Sequence, residues 1–274
     1  MFVLRRYIFI FGAVLCLLSD SLYADRPKES RGKIKFSNRF QKKWGNHPIK
    51  VRQQIRSGGV SGELPGDKTV EECAERFYAA LLYLPEDLIR KSGLKYVTFV
   101  RNLKSNNQSA GGVASGDTIY LKVHFSDKTL FHEFFHIFDP HRHDEKWRSL
   151  NDKRFKYMGN KFHAVRMSKK ERRQVKKTNR KDDIAEDFVS EYAMSFEWED
   201  RAETFAHMIV EGRRFLKRTK NPVIKAKMEY IMELFIQRDL LDEAFWNRHF
   251  NQKFELKNRH YSNGSPRKNK LPNR

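Results

Sequence analysis

The motif that most constrains this chain lies within residues 129–139, where two histidines stand four residues apart and a glutamate directly follows the first. In an α-helix, residues i and i+4 share a face, so His132 and His136 can each offer an imidazole nitrogen to one metal ion. Glu133 points away from that line and is better placed to reach a water molecule on the metal. This H-E-x-x-H spacing predicts two zinc ligands and a general base on one helical turn.

The residues around the motif are almost all apolar, as expected for a helix buried in a core. They are Phe131, Phe134, Phe135, Ile137 and Phe138. Two imidazoles and a carboxylate in such a helix need compensation, which a bound metal ion would provide. Ser126 and Asp127 predict the start of the helix. Its end is predicted at Asp139, because a residue before proline resists the helical conformation.

Asp139 shares a helical face with both histidines, and its role stays open between two alternatives. It could accept the second N–H of a ligand imidazole and so orient that ring, or it could form ordinary hydrogen bonds at the helix end. His141 and His143 follow outside the helix. We expect both to be solvated rather than to bind metal.

A catalytic zinc ion usually has three protein ligands, so one more must come from another part of the chain. Glu199, Glu203 and His207 are four residues apart and line one face of a predicted helix. An acidic stripe in so basic a chain indicates a cation, although a surface helix with paired charges would show the same spacing. Phe205 and the apolar run 208–210 indicate that the helix is largely buried, which favours metal ligation.

Together these motifs resemble the catalytic domain of anthrax lethal factor and its small secreted relatives, the Pro-Pro endopeptidases. The resemblance rests on H-E-F-x-H-x-x-D at 132–139, a tyrosine at 192 and, seven residues later, E-x-x-A-E at 199–203. It implies a zincin-like metallopeptidase whose zinc ligands are His132, His136 and Glu199. It also implies Glu133 as the base, Tyr192 as the residue that stabilises the oxyanion, and Glu203 as a support for a ligand. The basic insert before Tyr192 departs from the family pattern and leaves the choice of substrate open.

The ends of the chain differ in composition from its middle. Residues 1–24 combine Arg5 and Arg6 with an apolar run and a small residue at a suitable cleavage point, which predicts a signal peptide, or an anchor if it is not cleaved. We therefore expect a secreted or periplasmic protein with no membrane span after signal removal. Only Cys73 then remains, and one cysteine cannot form an intramolecular disulfide. We expect it to be a small buried residue.

The formal net charge of +21 predicts attraction to polyanions such as nucleic acid, anionic lipid or acidic cell-wall polymer. Basic residues are concentrated in an N-terminal arm (25–66), an insert (166–181) and a tail (257–274). We expect the arm to wrap over the domain or to be partly disordered, with Trp44 and Ile49 as anchors, and the tail to be flexible. The metallopeptidase domain is predicted to span residues 67–256 of a monomer.

Local patterns predict an α+β fold with a small sheet, the metal helix beside it and a mostly helical C-terminal half. Strands are expected at 95–100 and 118–123, a glycine-rich loop at 106–117, and helices at 69–84 and 222–238. An extended peptide is expected to pair with a free edge of the strand at 118–123.

Two functions remain open on the sequence alone. The leading one is a secreted or periplasmic zinc endopeptidase with a peptide or protein substrate. The alternative is a polyanion-binding envelope protein with a structural or inactive zinc site. A fourth protein ligand, for instance His207 or His141, would favour the structural site, whereas three ligands and an open position would favour the enzyme.

Overall fold

The computed structural model describes residues 33–139, 141, 143–159 and 183–251. Six strands occur in chain order: β1 (Lys50–Val51), β2 (Val60–Glu63), β3 (Tyr96–Ser105), β4 (Gln108–Ser109), β5 (Gly112–Ser115) and β6 (Thr118–Lys122). The α-helices are α1 (Asn38–Trp44), α2 (Asp67–Leu81), α3 (Glu86–Lys91), α4 (Asp127–Phe138), α5 (Glu145–Ser149), α6 (Glu197–Glu211), α7 (Pro222–Gln237) and α8 (Glu243–Asn251). Three 3₁₀ segments lie at Asp183–Asp187, Tyr192–Met194 and Gly212–Lys220.

The sheet is small and mixed, and β3 is its central strand. The strand order is β1-β3-β6-β5, with β3 parallel to both β1 and β6, and β5 antiparallel to β6. The far end of β3 pairs antiparallel with β2 and β4. With the helical C-terminal half, this arrangement confirms the predicted α+β fold. None of the described helices is long and apolar enough to cross a bilayer.

The metal helix α4 is buried between the sheet and the C-terminal helices. Its start is capped as predicted, because Ser126 Oγ accepts a hydrogen bond from the Thr129 backbone N–H at 3.0 Å. On α6, Ala202 and Ala206 are fully buried, and their small side chains allow α6 to pack closely against its neighbours. Phe205 of α6 packs against Phe135 of α4, with 5.3 Å between ring centroids, and stacks on Phe235 of α7 at 5.0 Å. These aromatic contacts fix α4, α6 and α7 as one layer.

The segment predicted as a loop at 106–117 contains β4 and β5, and this changes the edge of the sheet. β6 is paired on both sides, so the predicted free edge at 118–123 is wrong. Among the described residues, β5 is therefore the edge strand at this side of the sheet. Its sequence, Gly-Val-Ala-Ser, resembles a loop because three of its four residues are small and only Val113 favours a strand. Its pairing with β6 decides its conformation.

The described part of the predicted N-terminal arm, residues 33–66, packs on the domain. Phe40, Trp44 and Ile49 are buried, so both predicted anchors are confirmed. β1 and β2 also join the sheet, so the boundary predicted at residue 67 separates strands of one sheet. The predicted signal peptide, the basic insert at 166–181 and the tail at 257–274 lie outside the described residues.

Candidate metal centre

Two helices bring three ligand atoms together at one point. The Nε2 atoms of His132 and His136, both on α4, lie 3.1 Å apart. Glu199, in the first turn of α6, places Oε2 2.9 Å from His132 Nε2 and 3.2 Å from His136 Nε2. These side chains form a candidate metal site, with all three donor atoms within 4.8 Å of one another. The structure thus brings together the three ligands that the sequence resemblance implied.

The donor set fits a zinc ion in both chemistry and size. Ligand atoms about 2.0–2.1 Å from a tetrahedral zinc ion stand roughly 3.3 Å from each other, close to the separations seen here. His132 Nδ1 lies 2.8 Å from Glu203 Oε1, so Nδ1 carries the hydrogen and Nε2 offers its lone pair to the centre. Burial lowers the pKa of His132, but the Glu199 and Glu203 carboxylates outweigh burial and raise it well above the usual value. The pocket therefore favours a cation at this point.

Each of two ligands is held by a neighbour on the side away from the centre. Glu203 Oε1 binds His132, while Glu203 Oε2 accepts a hydrogen bond from Ser190 Oγ at 2.6 Å. The Trp198 indole Nε1–H donates to Glu199 Oε1 at 3.0 Å, so Oε2 is the oxygen that faces the imidazoles. Such contacts orient ligands and strengthen metal binding. Sequence reasoning named Glu203 but missed Ser190 and Trp198, because their roles depend on which atoms they meet in the folded chain.

Glu133 is buried beside the metal ligands and against the edge strand. Its carboxylate accepts a hydrogen bond from the backbone N–H of Ala114, and burial raises its pKa. Gly112 also packs on this side chain, since a Cβ built at Gly112 would lie 2.5 Å from Glu133 Cγ. β5 thus fixes the position of Glu133, and neither Gly112 nor Ala114 was identified from the sequence.

Tyr192 lies in the 3₁₀ segment that precedes α6. Its ring centroid is 5.7 Å from that of His132, and its hydroxyl forms a side-chain hydrogen bond with Glu199. Burial and the nearby carboxylates raise the pKa of Tyr192, so its hydroxyl stays protonated and can donate. The seven-residue step from Tyr192 to Glu199 therefore brings both side chains to the same centre.

Of the two roles left open for Asp139, its contacts agree with a role at the helix end, because they are made with two arginines. Its Oδ2 accepts from Arg201 Nε at 3.0 Å, and its Oδ1 lies 3.5 Å from Arg238 Nη2. Arg201 is fully buried and also donates to the backbone carbonyl of His141. Because a buried guanidinium needs a carboxylate partner, Asp139 serves that need and ties the end of α4 to α6.

His207 and His141 do not join the three ligands. His207 Nδ1 lies 2.7 Å from Glu211 Oε1, and its Nε2 is 3.8 Å from Glu203 Oε2. His141 and His143 are exposed. Within the described residues, the metal-binding group contains only His132, His136 and Glu199. Three protein ligands are typical of catalytic zinc rather than structural zinc.

The ligands lie in a cleft of about 1150 Å³. The cleft is lined by residues from the β4–β5 region, α4, the segment around Tyr192 and the first turn of α6. Its size is above the range typical of small-molecule sites, which agrees with a larger occupant such as a stretch of peptide.

Residues 91–255 of the chain match the profile of a protein family described as "Putative zinc-binding metallo-peptidase". Among solved structures, the fold is similar to a crystal structure described as that of a putative zinc-binding metallo-peptidase from Bacteroides caccae. The two share 14% sequence identity with a TM-score of 0.49, over 80% of this chain and 95% of that chain. No curated protein matches the chain.

Proposed function

The chain belongs to this family of zinc-binding metallo-peptidases, and from that premise we propose that it is a zinc-dependent endopeptidase that acts outside the cytoplasm. The observation that carries the proposal is the convergence of His132, His136 and Glu199 beside Glu133 in an open cleft. The sequence of residues 1–24 supports secretion or a periplasmic location. The finer resemblance to the lethal factor catalytic domain supports the roles given below to individual residues.

A zinc ion held by the three ligands would supply Lewis acidity, which lowers the pKa of a water molecule and polarises the peptide carbonyl. The Glu133 carboxylate takes a proton from that water, whose oxygen then attacks the carbonyl carbon. Glu133 passes the proton to the amide nitrogen as the C–N bond breaks. Ala114 N–H and Gly112 hold Glu133 in place for both transfers.

Tyr192 acts on the carbonyl oxygen of the substrate. As the carbonyl carbon becomes tetrahedral, negative charge develops on this oxygen, and a preorganised hydroxyl donor stabilises it. The hydroxyl of Tyr192 is protonated and lies beside Glu199, on the ligand side of the cleft. Glu203 and Trp198 keep His132 and Glu199 oriented while this charge moves.

The position of the edge strand β5 favours a peptide as the ligand of the cleft. β5 borders the cleft and lies directly against Glu133. An extended peptide can add to such an edge through backbone hydrogen bonds, which would hold its scissile bond next to the base. Backbone hydrogen bonds are independent of side-chain identity, so side-chain contacts elsewhere in the cleft would set the cleavage preference.

Zinc-loaded protein incubated with a degenerate peptide library and read by mass spectrometry tests the proposal. Cleavage is expected in the zinc-loaded sample and not in a chelator-treated control. Glu133→Gln should retain zinc but lose hydrolysis by several orders of magnitude, whereas Tyr192→Phe should lose about 10²–10³-fold, as for removal of an oxyanion donor. Undiminished turnover by purified Glu133→Gln protein would exclude the mechanism.

A further inference from the structure

Lys128 lies in the cleft one helical turn before the first metal ligand. It is half-buried and lines the cleft together with His132 and His136. These three residues are spaced by four along α4 and therefore share one face of the helix. A rise of 1.5 Å per residue places Lys128 about 6 Å along the helix axis from His132. The ammonium group is thus within reach of a substrate held at the metal centre.

Lys128 forms no ion pair with a carboxylate of the described residues. Its neighbour Asp127 lies 3.5 Å from Arg76. Among the described residues lining the cleft, Lys128 is the only lysine and no arginine is present. The acidic residues of that lining are engaged around the metal centre or, in the case of Asp139, with Arg201.

The position of Lys128 on the helix makes an unpaired charge there unfavourable. The first turn of an α-helix carries a partial positive charge, and a lysine in that turn is repelled by it. A half-buried ammonium also loses part of its hydration. An anionic group entering the cleft would relieve both costs. The described lining near β4 and β5 carries no charged side chain.

We propose that Lys128 binds a carboxylate of the substrate, from an acidic side chain or from the peptide C-terminus, on the C-terminal side of the scissile bond. This inference rests on the proposed endopeptidase function. It makes Lys128 a specificity-determining residue. It predicts that peptides with a carboxylate at this position are preferred over matched neutral peptides.

The direction of β5 indicates on which side of the scissile bond the substrate carboxylate meets Lys128. Along β5 and the residue before it, Gly111 lies against Thr129, and Gly112 lies against Glu133. β5 and α4 therefore run in the same direction. A peptide added antiparallel to β5, the commoner pairing, runs the opposite way and carries its later residues toward the start of α4. At about 3.3 Å per strand residue, Lys128 is about two residues beyond the scissile bond.

The experiment uses a host peptide cleaved at one bond, with Glu, Gln or Lys placed in turn at each of three positions on either side. A Glu peptide should exceed the matched Gln peptide about fivefold to tenfold in kcat/KM, at about the second residue after the bond, as for a partly buried ion pair. Lys128→Gln should abolish this preference, and Lys128→Glu should reverse it toward the Lys peptide. Lys42→Glu, on the exposed side of α1, makes the same charge change away from the cleft and should preserve it.

A second arm separates the two sources of carboxylate. Peptides that end two residues after the bond, with a free or an amidated C-terminus, report on the terminal group alone. A preference only for the free C-terminus would assign Lys128 to that group, and a preference only for Glu would assign it to a side chain. Both preferences should weaken as salt is raised.

A binding measurement keeps this inference separate from the proposed function. Labelled Glu and Gln peptides are titrated against zinc-loaded Glu133→Gln protein, which requires no turnover. If no peptide is cleaved by wild-type protein but the Glu peptide binds more tightly in a Lys128-dependent manner, the endopeptidase proposal fails and Lys128 still recognises a carboxylate. The inference would be overturned if neither a Glu side chain nor a free C-terminus improved binding or cleavage, or if the preference were unchanged in Lys128→Gln.

Discussion

Gly112→Ala should separate the proteolytic step from metal binding. Gly112 lies on the edge strand, and the space beyond its Cα is filled by the side chain of the proposed base, Glu133. An added methyl group would meet that side chain directly. His132, His136 and Glu199, the three ligands, are not among the nearest atoms to that methyl group.

The distances set the size of the expected effect. A Cβ at Gly112 would lie 2.5 Å from Glu133 Cγ, 2.8 Å from Oε1 and 3.0 Å from Cδ. Since carbon atoms normally rest about 3.5–4.0 Å apart, Glu133 must move by about 1 Å. A catalytic group misplaced by about 1 Å can lose about 10²-fold in rate. We therefore expect kcat/KM to fall about 10²-fold in Gly112→Ala, with the affinity for zinc unchanged within about twofold.

Peptide hydrolysis and zinc competition against a chromophoric chelator measure the two quantities on the same preparation. Gly58→Ala is the matched control, because a Cβ at Gly58 would meet nothing within 4 Å. It should keep both activity and zinc affinity. Full activity in Gly112→Ala would refute the contact as a determinant of catalysis, and a parallel loss of zinc would show that the substitution disturbs the ligands instead of the base.

Three further predictions concern a residue that supports a ligand, a buried ion pair and the buried cysteine. Trp198→Phe removes the indole donor from a ligand carboxylate, so zinc affinity should fall about tenfold in chelator competition; unchanged affinity would contradict that role. Lys227 Nζ lies 2.8 Å from the buried Asp200 carboxylate, so Lys227→Met leaves that carboxylate without its cation. The free energy of unfolding measured in urea should fall by about 3–5 kcal/mol. Lys225→Met, in an exposed pair, is the control and should lower it by less than about 1 kcal/mol. Burial raises the pKa of Cys73 to about 11, so in a chain starting at residue 25 a thiol reagent at pH 8 should react only after unfolding.

The regular helices were predictable because their signals are local. Helix α4 begins after Ser126 and ends before Asp139, as expected. Asn221 caps α7 by accepting hydrogen bonds from the backbone N–H groups of Val223 and Ile224. Capping and apolar periodicity operate over a few residues, and the sequence displays them directly. The strand β5 was not predictable in this way, because its small residues acquire their conformation from pairing with β6.

The candidate site shows the same division between local and distant effects. His132 and His136 are one turn apart, so their convergence follows from helix geometry. Glu199 was expected as the third ligand because of a family resemblance, since no spacing rule relates residues 63 positions apart. Asp139 illustrates the converse, because its position on the ligand face left an imidazole partner and a helix-end role equally open, and in the structure its carboxylate pairs with the buried Arg201.

The sequence by itself determined the helix that carries two imidazoles and a carboxylate, since a spacing of four residues acts within one turn. Only the tertiary structure decided that β5 forms the border of the cleft, that Gly112 and Ala114 hold Glu133, and that Lys128 lines the cleft without an ion pair to the described residues. These relations join atoms from separate elements. They depend on how the sheet and helices pack, and no local periodicity records that packing.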